Sequence, residues 1–139
     1  MRPPVFVDTS AWVGYFAAGD ARHAASVETL DRLGLEGRGF VTTDGVLSET
    51  VTRLAQQAGR KAAALAWDAL ESERGVRLVE VTRDHRKDAR RLFDKYDRLT
   101  LSMTDCTSFS VMRKLGLTEA VTFDEDFVKA GFIAWPLKK

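Results

Sequence analysis

Cysteine is almost absent from this chain: Cys106 is the only one in 139 residues. An internal disulfide is therefore impossible, which agrees with a reducing cytoplasm. Cys106 falls within an apolar helical pattern and reads as a small core residue. Histidine is nearly as scarce, with only His23 and His85. Neither lies within an acidic motif, so surface or capping roles suit them better than general-base catalysis. No Cys/His cluster offers a soft metal site. No apolar run approaches the roughly 20 residues that span a bilayer, so no membrane partner is expected. The opening Met1-Arg2-Pro3-Pro4 leads straight into a strand, with no visible signal peptide. Glycine-rich dinucleotide loops, P-loops and nucleophile elbows are all missing. So is the Asp-x-Asp pair of one phosphotransfer superfamily, because the first strand is followed by Asp8-Thr9-Ser10. No repeat, low-complexity tract or linker divides the chain, which implies a single domain over residues 1–139.

Apolar residues make up 45% of the chain and charged residues 29%, the balance of a soluble globular protein. Short apolar runs alternate with longer helical patterns, the mark of parallel β/α units. Strands are expected at Pro4–Val7, Phe40–Thr42, Val76–Val81, Glu119–Phe123 and Phe132–Trp135. Helices are expected at Ser10–Ala17, Arg22–Leu33, Gly45–Ala58, Arg60–Glu73, Asp84–Tyr96 and Thr104–Leu115, with one helical turn at Glu125–Lys129. On Asp84–Tyr96, the spacing turns Ala89, Leu92, Phe93 and Tyr96 inward.

Four carboxylates then stand out. Asp8 closes Val5-Phe6-Val7, and Asp124 closes Ala120-Val121-Thr122-Phe123. Both positions suit an N-cap, and both suit the crevice beyond the carboxyl ends of parallel strands, where ligands bind. Asp126 is a rival to Asp124. Asp105 shares a helical face with Phe109 and Met112, where a buried charge needs a partner. A metal or a basic side chain would serve equally. Glu49 lies opposite Leu47, Val51 and Leu54 on its helix, facing either solvent or a cleft. Carboxylates gathered in one cleft repel one another unless a cation holds them, and oxygen donors suit hard divalent ions.

The net charge is +1. Without the four candidate acids it becomes 21 basic against 16 acidic groups, or +5. A mildly basic surface around an acidic cleft suits a polyanion that approaches metal. Arg83, Lys87, Arg91 and Lys95 recur every fourth residue along one helix. They form either a solvated face interleaved with Asp84, Asp88 and Asp94, or a surface that tracks the phosphates of a polyanion.

Val5-Phe6-Val7-Asp8-Thr9-Ser10-Ala11-Trp12 resembles the opening of the PIN-domain family. The stretch from Val41 to Glu49, Leu101-Ser102-Met103-Thr104-Asp105-Cys106, and the stretch from Val121 to Phe127 resemble its second, third and fourth acidic motifs. The order holds across essentially the whole chain, and the last two motifs resemble those of VapC-type toxins. The resemblance implies an α/β fold, a three-layer α/β/α sandwich with a parallel twisted central sheet. It implies an endoribonuclease using Mg²⁺ or Mn²⁺, with Asp8, Glu49, Asp105 and Asp124 as the acids. Thr9, Ser10, Thr104 and Asp126 become supporting groups beside them.

Phosphodiester hydrolysis needs an activated water, a neutralised phosphate and a stabilised leaving oxygen, all of which hard cations supply. RNA is then the substrate. A cytoplasmic ribonuclease needs restraint, and the chain stops at Lys138-Lys139 without an evident autoinhibitory tail. The expected restraint is a cognate antitoxin, partly disordered, whose amphipathic segment folds between the N-terminal helices. It would bring an Arg or Lys near Asp8 and Asp105. Trp12, Tyr15, Phe16 and Trp67 exceed what a small core needs and point to a homodimer interface. The alternatives are a PIN-type nuclease in RNA processing, a phosphatase-like enzyme on a similar sheet, and a non-catalytic RNA- or protein-binding module.

Overall fold

The computed structural model describes residues 2–137; Met1, Lys138 and Lys139, on which the readings of the two chain ends partly rest, lie outside the described residues. The elements run β1 (Val5–Val7), α1 (Thr9–Phe16), α2 (His23–Leu35), β2 (Phe40–Thr43), α3 (Asp44–Gln57), α4 (Arg60–Glu71), β3 (Val76–Val79), α5 (Arg83–Lys95), α6 (Met103–Leu115), β4 (Glu119–Val121), α7 (Asp126–Lys129) and β5 (Ile133–Trp135). All five strands are parallel, in the order β3-β2-β1-β4-β5.

This order makes the site. From β1 the chain moves outward to β2 and β3, then returns to the far side of β1 as β4. Right-handed crossovers therefore put α1–α4 on one face and α5–α7 on the other. Between β1 and β4 the connections leave in opposite directions, and a crevice opens above their carboxyl ends. β1 is buried throughout because it is central and covered on both faces. Phe6 packs on Phe127 with ring centroids 6.5 Å apart, and Phe127 meets Phe109 edge-on at 4.9 Å. Under α1, Trp12 Nε1 donates to Thr42 Oγ1, which donates on to the Val7 carbonyl.

Some expected boundaries shift for local reasons. β3 stops at Val79 instead of Val81, because the Val81 N–H turns to the Asp44 carboxylate. β4 stops at Val121 instead of Phe123, where the Phe123 N–H is taken by Ser10 Oγ at 3.0 Å. α4 ends at Glu71, two residues early, and Glu73 and Gly75 adopt positive φ as the chain turns into β3. Phe93, expected to face inward, is half exposed. Ala89 and Leu92 occupy the buried stripe of α5, and Phe93 lies just beyond its edge. Both histidines serve the backbone: His85 Nδ1 accepts from the Thr82 N–H to complete a capping box, and His23 Nδ1 contacts the Gly14 carbonyl at 2.8 Å.

At the opposite end of the sheet, Arg38 precedes β2 and Glu119 opens β4. Their ion pair closes at 2.6 Å beneath β1, with the Arg38 side chain 1% exposed. Arg38 Nε also donates to the Pro3 carbonyl, and Trp135 Nε1 donates to Glu119. The Arg38 guanidinium holds the Glu119 carboxyl below its ordinary range. Removing one partner of such a pair strands a charge and costs about 3–5 kcal/mol. Arg38→Ala should lower the urea midpoint by that equivalent. Its stability deficit should shrink as pH falls through the carboxylate range, because protonating Glu119 removes the same contact in the parent protein.

Candidate active site at the carboxyl end of the sheet

Asp8 takes the N-cap position of α1 with an extended backbone, yet its side chain makes no capping bond. It accepts instead from Thr122 Oγ1 at 2.9 Å and from Ser10 Oγ at 3.4 Å. The capping explanation for Asp8 thus fails: β1 and β4 share its carboxylate across the crevice. Asp105 comes from the first turn of α6, where its carboxylate accepts from the Ser102 N–H while Ser102 Oγ accepts from the Asp105 N–H, each at 3.0 Å. Asp124 Oδ1 accepts from the Asp126 N–H at 2.9 Å. Glu49 projects from α3 and reaches Arg53, one turn on, at 3.6 Å.

All four carboxylates line one cavity of about 380 Å³, together with Thr9, Ser10 and Arg53. Asp126 and Thr104 are not on its wall. Asp126 begins α7 beside it, which leaves Asp124 as the fourth acid of the cleft. Thr104 sits against Gly45, and its carbonyl accepts from Thr107 and Ser108. Thr9 is buried, and its Oγ1 has no hydrogen-bond partner among the described residues.

The acids feel one another. Burial, reinforced by the negative charges of Asp105 and Asp124, pushes the Asp8 carboxyl up to about 7, against the Thr9 N–H and Thr122 bonds that favour its anion. Asp105 is raised by burial and by Asp124 and Glu49. Burial and Asp105 push the Cys106 thiol up to about 11, so it stays protonated and inert. Each acid is tied to a different protein partner. Among the described residues, no three His, Cys, Asp or Glu side chains close into a ready-made ligand cage. The cleft is thus an open, carboxylate-rich site with excess negative charge.

The PIN-domain family model matches residues 5–133. The chain belongs to the PIN-domain family. It is 41% identical over 130 residues to the 23S rRNA-specific endonuclease VapC20 of Mycobacterium tuberculosis, covering 93% of this chain and 95% of that protein. The crystal structure of M. tuberculosis VapC20, described as a Sarcin-Ricin loop cleaving toxin, superposes with a TM-score of 0.84 at 38% identity, covering 93% of this chain and 96% of that one. FitAcB from Neisseria gonorrhoeae shares the fold at a TM-score of 0.69 and 17% identity, covering 96% and 99%. The family's three-layer architecture is the one that the sequence resemblance implied.

The basic row on α5 of this PIN domain divides. Lys87 and Arg91 join Arg113 and Lys114 of α6 around a separate depression, with Asp84 and Asp88. Lys95 lies over the Tyr96 ring at 5.2 Å, and Arg90 pairs with Asp94. The aromatic surplus shrinks too. Trp12 is core, Tyr15 and Phe16 pack against it, and Trp67 stays exposed. Arg53 and Thr100, to which the sequence assigned no role, also line the cleft, as does Leu101 of the third acidic motif.

The raised Asp8 carboxyl has a stability consequence. Its folded value near 7 lies above its ordinary 3.8, so between those limits the folded state binds more protons than the unfolded one. Stability from this group is complete below that window and is lost as pH rises through it, by at most about 4 kcal/mol. In EDTA, Asp8→Asn should therefore be more stable than the parent at pH 8 and close to it at pH 4. Urea unfolding at both pH values measures the difference.

Proposed function

We propose that this PIN domain is a metal-dependent endoribonuclease and the toxin of a toxin–antitoxin pair. The observation that carries the reading is the convergence of Asp8, Glu49, Asp105 and Asp124, from four separate chain segments, on one cavity where burial and like charge raise Asp8 to about 7. Asp8, Asp105 and Asp124 would hold Mg²⁺ or Mn²⁺, with Glu49 completing the set. A cation bound there supplies Lewis-acid stabilisation of the phosphoryl group and of charge developing on the oxygens around it.

The chain's own residues do the rest. Thr122 and Ser10 orient Asp8 by hydrogen bonds across the crevice. Arg53 is the one basic side chain on the cavity wall among the described residues, placed to meet a phosphate oxygen and lessen the repulsion between RNA and the acids. The depression around Lys87, Arg91, Arg113 and Lys114 offers a second place for backbone phosphates, positioning RNA without reading its sequence. Likeness to VapC20 makes a structured RNA, ribosomal RNA above all, the favoured substrate.

The restraining partner would occupy the groove of about 480 Å³ between α1, α2 and α4, whose walls include Trp12, Tyr15, Phe16 and Leu70. An amphipathic helix fits such a groove. Trp67 and Leu65 on α4, 52% and 61% exposed, are the surface for self-association. No helix among the described residues is long and apolar enough to cross a membrane; the expected setting is the cytoplasm, beside the ribosome.

Purified protein incubated with total RNA should cut it in Mn²⁺ or Mg²⁺ and not in EDTA. Asp8→Asn and Asp105→Asn should each lower cleavage about 100-fold or more while preserving the far-UV spectrum. Asp124→Asn should match them, and Asp126→Asn should fall by less than about tenfold. Cleavage that survives complete chelation contradicts the reading, as does an Asp126 variant weaker than the Asp124 variant.

A further inference from the structure

A second cavity adjoins the acid cleft and has no part in the chemistry above. It measures about 730 Å³ and shares Asp124 with the cleft as common wall. Its other walls are largely apolar, including Phe123, Val128, Phe132 and Ile133, with Arg22 and Lys129 among them. Val128 is 55% exposed and Ile133 49%.

Phe123 is built for this cavity. Ser10 Oγ captures its backbone N–H just after β4, so the chain leaves the sheet at that residue. The ring stays half-buried beneath the Arg22 guanidinium, which lies 4.8 Å from its centroid. The charges on its rim are mixed, Arg22 and Lys129 against Asp124 and Glu125, so the cavity does not select a free ion. Its apolar walls and the Phe123 ring suit a flat, π-rich group with polar edges. Unpaired RNA bases stack on aromatic rings and on guanidinium planes in this way, with their phosphates near basic side chains. The volume falls in the range of small-ligand sites. A stable protein interface needs roughly 800 Å² from each partner, a broader surface than this pocket offers. Continuity favours RNA as the occupant, because a strand whose phosphate lies over Asp8 and Asp124 has a neighbouring nucleotide within reach of the wall the two cavities share.

We propose that this pocket is a nucleobase subsite, in which an unpaired base next to the cleaved phosphate stacks against Phe123 and Arg22. The inference rests on the nuclease reading and names which part of the RNA this side of the site holds.

The test uses binding, in protein carrying Asp8→Asn so that RNA stays intact. Short fluorescein-labelled single-stranded RNAs, each with one position made abasic in turn, are titrated by anisotropy. One abasic position should weaken binding roughly tenfold, the scale of a lost base–aromatic stack. Adding Phe123→Leu, which keeps the apolar volume, should weaken the base-bearing RNA to the same level and leave the abasic RNA unchanged. Arg22→Gln, at an exposed residue, should act in the same direction and covers the case in which the Phe123 variant misfolds. RNA bound with equal affinity at every abasic position would overturn the subsite and leave the nuclease reading standing. So would equal losses for base-bearing and abasic RNA. No RNA binding at all, with no cleavage by the parent protein, would overturn both.

Discussion

The burial of carboxylates beside one another is the constraint around which this protein is arranged. Folding carries Asp8, Glu49, Asp105 and Asp124 out of a dispersed chain and sets them around a single cavity. Water is largely excluded at Asp8, so the anion there loses solvation as well as gaining like-charged neighbours, and its carboxyl rises to about 7. A domain built only for stability would replace such a cluster. Here the cost is borne at the topological switch point between β1 and β4, where the sheet can present side chains to a ligand without opening its core.

The rest of the domain holds those charges in place. Beneath β1, the Arg38–Glu119 pair ties together the two strands that flank it. Under α1, Trp12 and Thr42 connect the first helix to the second strand and to the Val7 carbonyl beside Asp8. On the other face, the Phe6, Phe127 and Phe109 rings fix α6 and α7 against the sheet. Their first turns carry Asp105 and follow Asp124, so aromatic packing on one face is transmitted to acid placement above it. Polar groups finish the arrangement: the Thr122 and Ser10 hydroxyls direct Asp8, and the Ser102 backbone N–H directs Asp105.

Strand-to-helix transitions were legible from the residues because hydrophobic runs end abruptly in Asp at Val7-Asp8 and, after a short turn, at Phe123-Asp124. The parallel order was legible for a similar reason, since buried β-branched strands alternate with amphipathic helices. What escaped depends on contacts distant in sequence. Nothing near Arg38 announces that it will be buried against Glu119, 81 residues away. Phe93 looked apolar and inward on helical spacing, but the spacing cannot say how wide a stripe α6 covers. For the polar face of α3 that carries Glu49, the spacing left solvent and cleft open; the fold turns it, with Arg53, towards the acids. Asp124 lines the cleft and Asp126 does not, a difference of two residues of register at the start of α7 that is finer than any periodicity resolves.

The cation site proposed for these four acids would relieve their electrostatic strain when metal binds. Calorimetric Mn²⁺ titrations at pH 6, in buffers of different ionisation enthalpy, measure the protons displaced by each bound cation. With Asp8 near 7, close to one proton should be released per Mn²⁺ at pH 6, much less at pH 8, and clearly less at pH 6 with Asp8→Asn, where Asp105 keeps a raised carboxyl. Binding of Mn²⁺ at pH 6 without proton release, or with the same release in Asp8→Asn, would contradict it.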